Sequence, residues 1–300
     1  MVSRVSTAAL NNSTLRYATN TSNEMARLSK QISSEVQYQS YAEMSGKIER
    51  VSGFQEKIGK IDNYISGNTT VKVRLNAVSS SISSIQTVAS NFLSDLATYN
   101  GVSSSSFSLE DSAKSALQQI KDLLNVQIGG RYLFSGSRTN SSPIGDIETP
   151  VNTAGVADAN YYAGDNQKDT AKISDGFELE YGVTADDPAM QEVISGIRTA
   201  LQGAQSGDAS MVASGQTLVQ KSVKTLATLA AKVNLDITSV DKVNAQHTQL
   251  KIFWQQSLGE DIDTDVTTAT TELKLNETIL QASFSAFAKI SSLKLTDYLR

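Results

Sequence analysis

The chain has 300 residues, enough for one or two domains, and a mild net charge of −5 without a basic stripe, which argues against nucleic-acid binding. With no cysteine and a single histidine, it can build no disulfide, thiolate zinc site, histidine metal cluster or Ser-His-Asp triad. Aromatics are only 6% and Ser, Thr, Ala and Asn dominate the flanks, so helices there pack closely but bury little area, and the ends are expected to be stable mainly against a neighbour.

All three prolines, Pro143, Pro150 and Pro188, fall in one central window. Proline disrupts a helix interior at a cost of about 3 kcal/mol, so its absence on both sides leaves room for long helices. Residues 5–45 read as a weak amphipathic helix in which Met25, Leu28 and Ile32 follow three- and four-residue steps. The next stripe runs through Val51, Phe54, Ile58, Ile61 and Ile65. It resumes after Gly67 as Leu75, Val78, Ile82, Ile85, Ala89, Phe92 and Leu96, a coiled-coil repeat. Asn100-Gly101 and the following serines predict a turn. Ser108-Leu-Glu-Asp111 predicts a capped helix start, with Ala113, Leu117, Ile120 and Leu124 as its apolar face.

Residues 129–188 read differently. They hold every proline, eight of the 18 glycines and short alternating runs such as Phe177-Glu-Leu-Glu-Tyr181, the pattern of turns and short strands. Asp187-Pro188 predicts an N-cap and first helical residue, followed by Val193, Ile197 and Leu201. After Gly207-Asp208 a second long seam runs through Leu226, Leu229, Val233, Val240, Val243, His247, Leu250 and Trp254, and Gly259 is expected to end it. The last helix carries Val266, Ala269, Leu273, Leu280, Phe284, Phe287 and Ile290.

Two arms of similar length around a central insert predict a mostly α fold: an elongated antiparallel coiled-coil bundle of N- and C-terminal helices with a small mixed α/β, strand-rich head. The domains expected are a terminal helical part (1–46 and 260–300), a bundle (47–128 and 189–259) and the head (129–188). Leu75, Val78, Ile82, Ile85 and Phe92 are expected to form the bundle core with Leu226, Val233, Val240, Leu250 and Trp254.

The residues that could carry chemistry have plainer readings. His247 lies on the seam, three residues before Leu250, as a hydrogen-bonded packing residue would. Asp261, Asp263, Asp265 and Glu272 match positions 1, 3, 5 and 12 of an EF-hand loop, but the glycine turn at position 6 is replaced by Val266, so Asp261, Asp263 and Asp265 read as helix-start residues. Asp158, Asp165, Asp169, Asp175, Asp186 and Asp187 in the head suit turns, and no spacing singles out an acid–base pair. There is no phosphate-binding glycine loop. An enzyme is not expected, nor a cofactor or a metal. No apolar run has the length of a signal peptide or a membrane span.

The segment Asn276-Glu-Thr-Ile-Leu-Gln-Ala-Ser-Phe-Ser-Ala-Phe-Ala-Lys-Ile-Ser-Ser-Leu-Lys-Leu-Thr-Asp-Tyr-Leu-Arg300 closely resembles the C-terminal helix of the bacterial flagellin superfamily. Arg4-Val-Ser-Thr7 and Gln31-Ile-Ser-Ser34 resemble its N-terminal helix. Gly130-Arg-Tyr-Leu-Phe-Ser-Gly136 and Tyr162-Ala-Gly-Asp165 resemble the hook–filament junction branch of that superfamily. The chain departs from the common pattern at Glu35-Val-Gln-Tyr-Gln-Ser-Tyr-Ala-Glu-Met-Ser-Gly46, where a Gly-x-Arg stretch leading to Asp-Asp-Pro is usual.

The resemblance implies a structural axial protein of the bacterial flagellum, serving motility as the junction layer between hook-associated protein 1 and flagellin. It further implies export by the flagellar type III apparatus without a cleaved signal peptide, an extracellular location, and an export chaperone. Its partners would be hook-associated protein 1, flagellin and its own copies in a helical ring, with no nucleic acid and no membrane. Met25, Leu28, Ile32, Leu280, Phe284, Phe287, Ile290 and Leu295 are the expected subunit-interface residues. The alternatives are flagellin itself, or a non-flagellar coiled-coil protein whose head binds a ligand or surface.

Overall fold

A computed structural model describes residues 2–44, 46–101 and 108–296, with side chains except at 2–8, 10, 11, 100, 101 and 290–296. The expected turn after Gly101 lies outside the described residues. The chain runs α1 (Val2–Ser34), a short 3-10 turn (Tyr41–Glu43), α2 (Ile48–Gly101), α3 (Leu109–Leu124), β1 (Gln127–Ile128), β2 (Arg131–Tyr132), β3 (Asp169–Ser174), β4 (Phe177–Tyr181), α4 (Pro188–Ser206), α5 (Ala209–Ile262) and α6 (Val266–Thr296). The fold is therefore mostly helical, with long helices and a small strand-containing region. It divides into two compact units: Met1–Lys60 with Leu250–Arg300, and Ile61–Gln249.

In the second unit, α2 and α5 run antiparallel. Asn68 Nδ2 donates to Asn244 Oδ1 (2.8 Å), Lys72 Nζ to Asp241 Oδ1 (2.6 Å) and Ser79 Oγ to Asn234 Oδ1 (3.1 Å), so each step forward on α2 meets a step back on α5. Leu75, Val78, Ile82, Ile85 and Phe92 on one helix and Leu226, Val233 and Val240 on the other are buried in one apolar cluster. Helix α3 starts as its sequence predicts, with the Ser108 hydroxyl accepting from Asp111 N, and it packs on α4. Asp187 caps α4 and Pro188 opens it.

Helix α4 is buried over nearly its whole length, through the apolar Val193, Ile194, Ile197, Ala200 and Leu201 and also the polar Glu192, Ser195, Arg198 and Thr199. Its approach to α5 depends on missing side chains. A Cβ on Gly215 would lie 2.6 Å from the Gly196 carbonyl oxygen and 2.7 Å from Ala200 N.

The two hairpins of the head are β1–β2, turned by Gly129-Gly130, and β3–β4, with a register shift between Lys172 and Ser174. Residues 129–188 do not form a separate compact unit. Phe134, Ile144, Ile147, Tyr161, Ile173 and Tyr181 are buried in the same cluster as Leu75 and Leu226. A segment this rich in turns has too few apolar residues to close a core alone and completes one on the helices.

The first unit has α1 packed on α6. Its boundaries, after Lys60 and before Leu250, differ from the expected 46/47 and 259/260 because the neighbouring turns of α2 and α5 join it. Leu250, expected in the bundle core, is instead 48% exposed; the buried seam residues before it are Val243 and His247. Trp254 is half-buried, stacked on Phe54 with ring centroids 5.5 Å apart and Lys57 Nζ 3.9 Å from its ring centre. Gly259 does not end α5, which continues to Ile262.

Candidate assembly surface

Both arms are interrupted in the first unit, and the two interruptions are tied together. Glu35, with φ of 59°, ends α1 in the left-handed conformation that glycine more often supplies. Thr264 N then donates to Glu35 O (2.8 Å) and Gln37 N to Ile262 O (2.7 Å), a short antiparallel bridge between Val36 and Asp263. Gln31 Nε2 adds a bond to Gln37 O (2.6 Å). The segment 35–46 that departs from the common flagellin pattern therefore pairs with the α5–α6 connection.

The carboxylates read as helix-start residues divide their work. Asp265 fills that role for α6, its Oδ1 accepting from Thr267 N and Thr268 N. The Thr268 hydroxyl and amide hold the Asp265 carboxyl below its ordinary range. Asp261 instead lies in the last turn of α5, paired with the Arg50 guanidinium of α2, while Lys47 Nζ donates to Asp261 O (3.2 Å). The bond from Arg50 holds the Asp261 carboxyl below its usual value, against the opposing effect of burial.

On the helical pair, few apolar side chains are fully buried. Among the described residues of this unit, the buried hydrophobics are Leu28, Met44, Val51 and Ala269. Leu15 and Tyr17 of α1 and Leu275, Ile279 and Phe284 of α6 are exposed, Tyr17 by 72% and Phe284 by 56%. A groove of about 300 Å³ lies between the two helices, lined by Thr14, Tyr17 and Thr21 on one side and Ile279, Ser283, Ala286 and Phe287 on the other.

Of the expected interface residues, Phe284 is exposed and Met25, Ile32, Leu280 and Phe287 are half-buried. Leu28 is buried within the unit, so it is covered before any partner arrives. Ile290 and Leu295 lie outside the residues whose side chains are described. Leu15, Tyr17, Leu275 and Ile279 were not singled out from the sequence. The spacing of four between Leu275 and Ile279 was a visible signal of a second apolar face on α6.

In the head, the two segments that resemble the junction branch meet. Asp165 N donates to Ser135 O (3.2 Å), Ser137 N to Asp165 Oδ1 (2.8 Å) and Tyr162 Oη to Asp165 O (2.5 Å). Bonds from the Ser137 hydroxyl and amide lower the Asp165 pKa, while burial raises that of Tyr162. A side chain at Gly136 would collide with Asp165, and one at Gly164 with Tyr162.

A second polar centre fixes the loop before them. Arg198 of α4 is 1% exposed and donates to Thr149 O, Pro150 O (3.1 Å) and Asp158 Oδ1 (3.1 Å). The Ser195 hydroxyl accepts from Asp158 N (2.9 Å). Sequence reasoning missed Arg198, although a cation inside the apolar run Val193–Leu201 was a visible sign of a buried charge needing partners.

Residues 5–139 match the family model described as the bacterial flagellin N-terminal helical region. Among solved structures, the chain is similar to one described as a flagellar hook-associated protein, from Vibrio parahaemolyticus, at 14% identity over 73% of this chain and 95% of that one, TM-score 0.45. It is also similar to FlgL of Bacillus cereus at 15% identity over 70% and 96% of the two chains, TM-score 0.43. No curated protein matches.

Proposed function

We propose that this chain is a structural, non-catalytic subunit of the bacterial flagellar axis. Within it, the chain forms the junction layer between hook-associated protein 1 and flagellin, the part of a hook-associated protein 3. The observation that carries the reading is the apolar face of the terminal helices. A pair that exposes Leu15, Tyr17, Leu275, Ile279 and Phe284 while burying few apolar residues leaves its own association surface uncovered. Head-to-tail packing of copies in a helical ring covers such a surface on every subunit. The flagellin-type match over residues 5–139 supports the flagellar setting. The meeting of the 130–136 and 162–165 segments supports the junction branch.

In this reading the chain leaves the cell through the flagellar type III apparatus, escorted by an export chaperone, and ends outside the cell. Deleting its gene tests the assignment. Cells that build hooks, shed flagellin into the medium and regain filaments on complementation support the junction role. Filaments that persist without the chain would overturn it. The flagellin match favours one further reading, the filament subunit, under which the deletion strain sheds no flagellin.

A further inference from the structure

Within the second unit a cleft opens beside the two head hairpins, its wall including Arg74, Arg131, Lys168, Asp169, Tyr181 and Gly182. Three cations and one carboxylate line it, a local excess of positive charge in a chain of net charge −5. Asp169 stands between two guanidiniums, its Oδ2 4.0 Å from Arg74 Nη1 and its Oδ1 3.7 Å from Arg131 Nη2. Both are ion pairs longer than a hydrogen bond, so neither guanidinium gives Asp169 a hydrogen bond.

The donors are largely unspent. Arg74 gives one N–H to the Tyr181 hydroxyl (3.1 Å). The Arg131 guanidinium meets Asp169 only at ion-pair distance, and Lys168 Nζ approaches Glu180 at 3.8 Å. The cleft volume of about 30 Å³ is room for about two water-sized atoms, so an oxyanion enters it by one or two of its oxygens. Gly182 lines the cleft, and a Cβ there would meet nothing within 4 Å.

We propose that this cleft binds a single small oxyanion group, a sulfate, phosphate or carboxylate, either free or carried by an acidic sugar. Arg131 and Arg74 supply planar forks suited to paired oxygen atoms, and Lys168 adds a third charge. Asp169 lies between the two arginines and competes with the ligand for them. The cleft takes oxygens of the anionic group alone, and the body of a larger ligand lies outside it. This inference stands independently of the flagellar reading.

Calorimetric titration of the intact chain with sodium sulfate, against sodium chloride at matched ionic strength, tests it. Saturable binding of sulfate is expected. Arg131→Gln and Lys168→Gln should each weaken it about tenfold, the worth of one charged hydrogen bond. Lys172→Gln, on the same hairpin but outside the cleft lining, should leave it unchanged. Asp169→Asn should tighten binding, because it removes the competing charge while keeping the side chain's shape. Glucuronate binding more tightly than acetate identifies a sugar-borne ligand, and equal affinity identifies the free anion; both support an oxyanion site. No saturation beyond chloride, or loss of binding in Asp169→Asn with the circular dichroism spectrum intact, would overturn it.

Discussion

Arg198 Nη1 lies 3.1 Å from Asp158 Oδ1, with the arginine side chain 1% exposed. The same guanidinium reaches the carbonyls of Thr149 and Pro150, so one side chain of α4 closes three acceptors of the irregular loop over it. A charge so buried holds only while all its partners are met.

Arg198→Ala should therefore be among the most damaging single changes in the second unit. Removing the cation leaves the Asp158 carboxylate and two carbonyls without it, at a cost of about 3–5 kcal/mol. Urea denaturation checks this. A loss below 1 kcal/mol would show that water replaces the arginine freely.

Gly215→Ala tests the α4–α5 crossing. Its methyl would sit 2.6 Å from the Gly196 carbonyl oxygen, so the helices must separate, at roughly 1–3 kcal/mol. Gly59 has open space around its Cβ position. Gly59→Ala should therefore be neutral or stabilising by up to about 1 kcal/mol through helix propensity. Equal effects at the two sites would contradict the close crossing.

The Arg50–Asp261 pair should make the first unit sensitive to acid. The folded-state pKa of Asp261 is depressed, chiefly by the Arg50 bond. Its stabilisation is thus fully present above the ordinary value of 3.8 and is lost as pH falls through the lowered value. Asp265, held down by Thr268, contributes in the same window. Fluorescence of Trp254, the chain's one tryptophan, reports on this unit. Asp261→Asn should be less stable than the wild type at neutral pH and converge with it in acid. Parallel pH curves for the two proteins would remove the pair from the account.

Phe284→Ser with Phe287→Ser separates folding from assembly. Phe284 is exposed and Phe287 half-buried. The second unit should keep its unfolding transition, and under the proposed junction role filament attachment is lost and flagellin is released. Hydrogen exchange on the free subunit complements this: residues 270–295 should exchange faster than the buried seam around Ile82 and Ile85. Normal swimming by the double variant would exclude this face from assembly.

Much of the helical layout was legible in sequence. The stripe from Leu75 to Leu96, the Ser108 cap and the Asp187-Pro188 start are local signals, written by the geometry of one helix turn. The same local rules misplaced Leu250 and Gly259. A three-four repeat predicts which residues share a face, but not where along the helix that face ceases to be covered. Gly259 had the residue type of a helix end, yet the last turn of α5 continues past it to Ile262.

The sequence by itself determined the long helices, the strand-containing insert between them and the exclusion of thiol and histidine chemistry, because these depend on residue type and short-range spacing. Tertiary structure alone decided that the head shares the bundle's core, that Arg198 gathers Thr149, Pro150 and Asp158, and that segment 35–46 pairs with the α5–α6 connection. Those contacts join residues 40 to more than 200 positions apart. No periodicity encodes such pairings; they follow from which buried polar groups find partners once the apolar seams have closed.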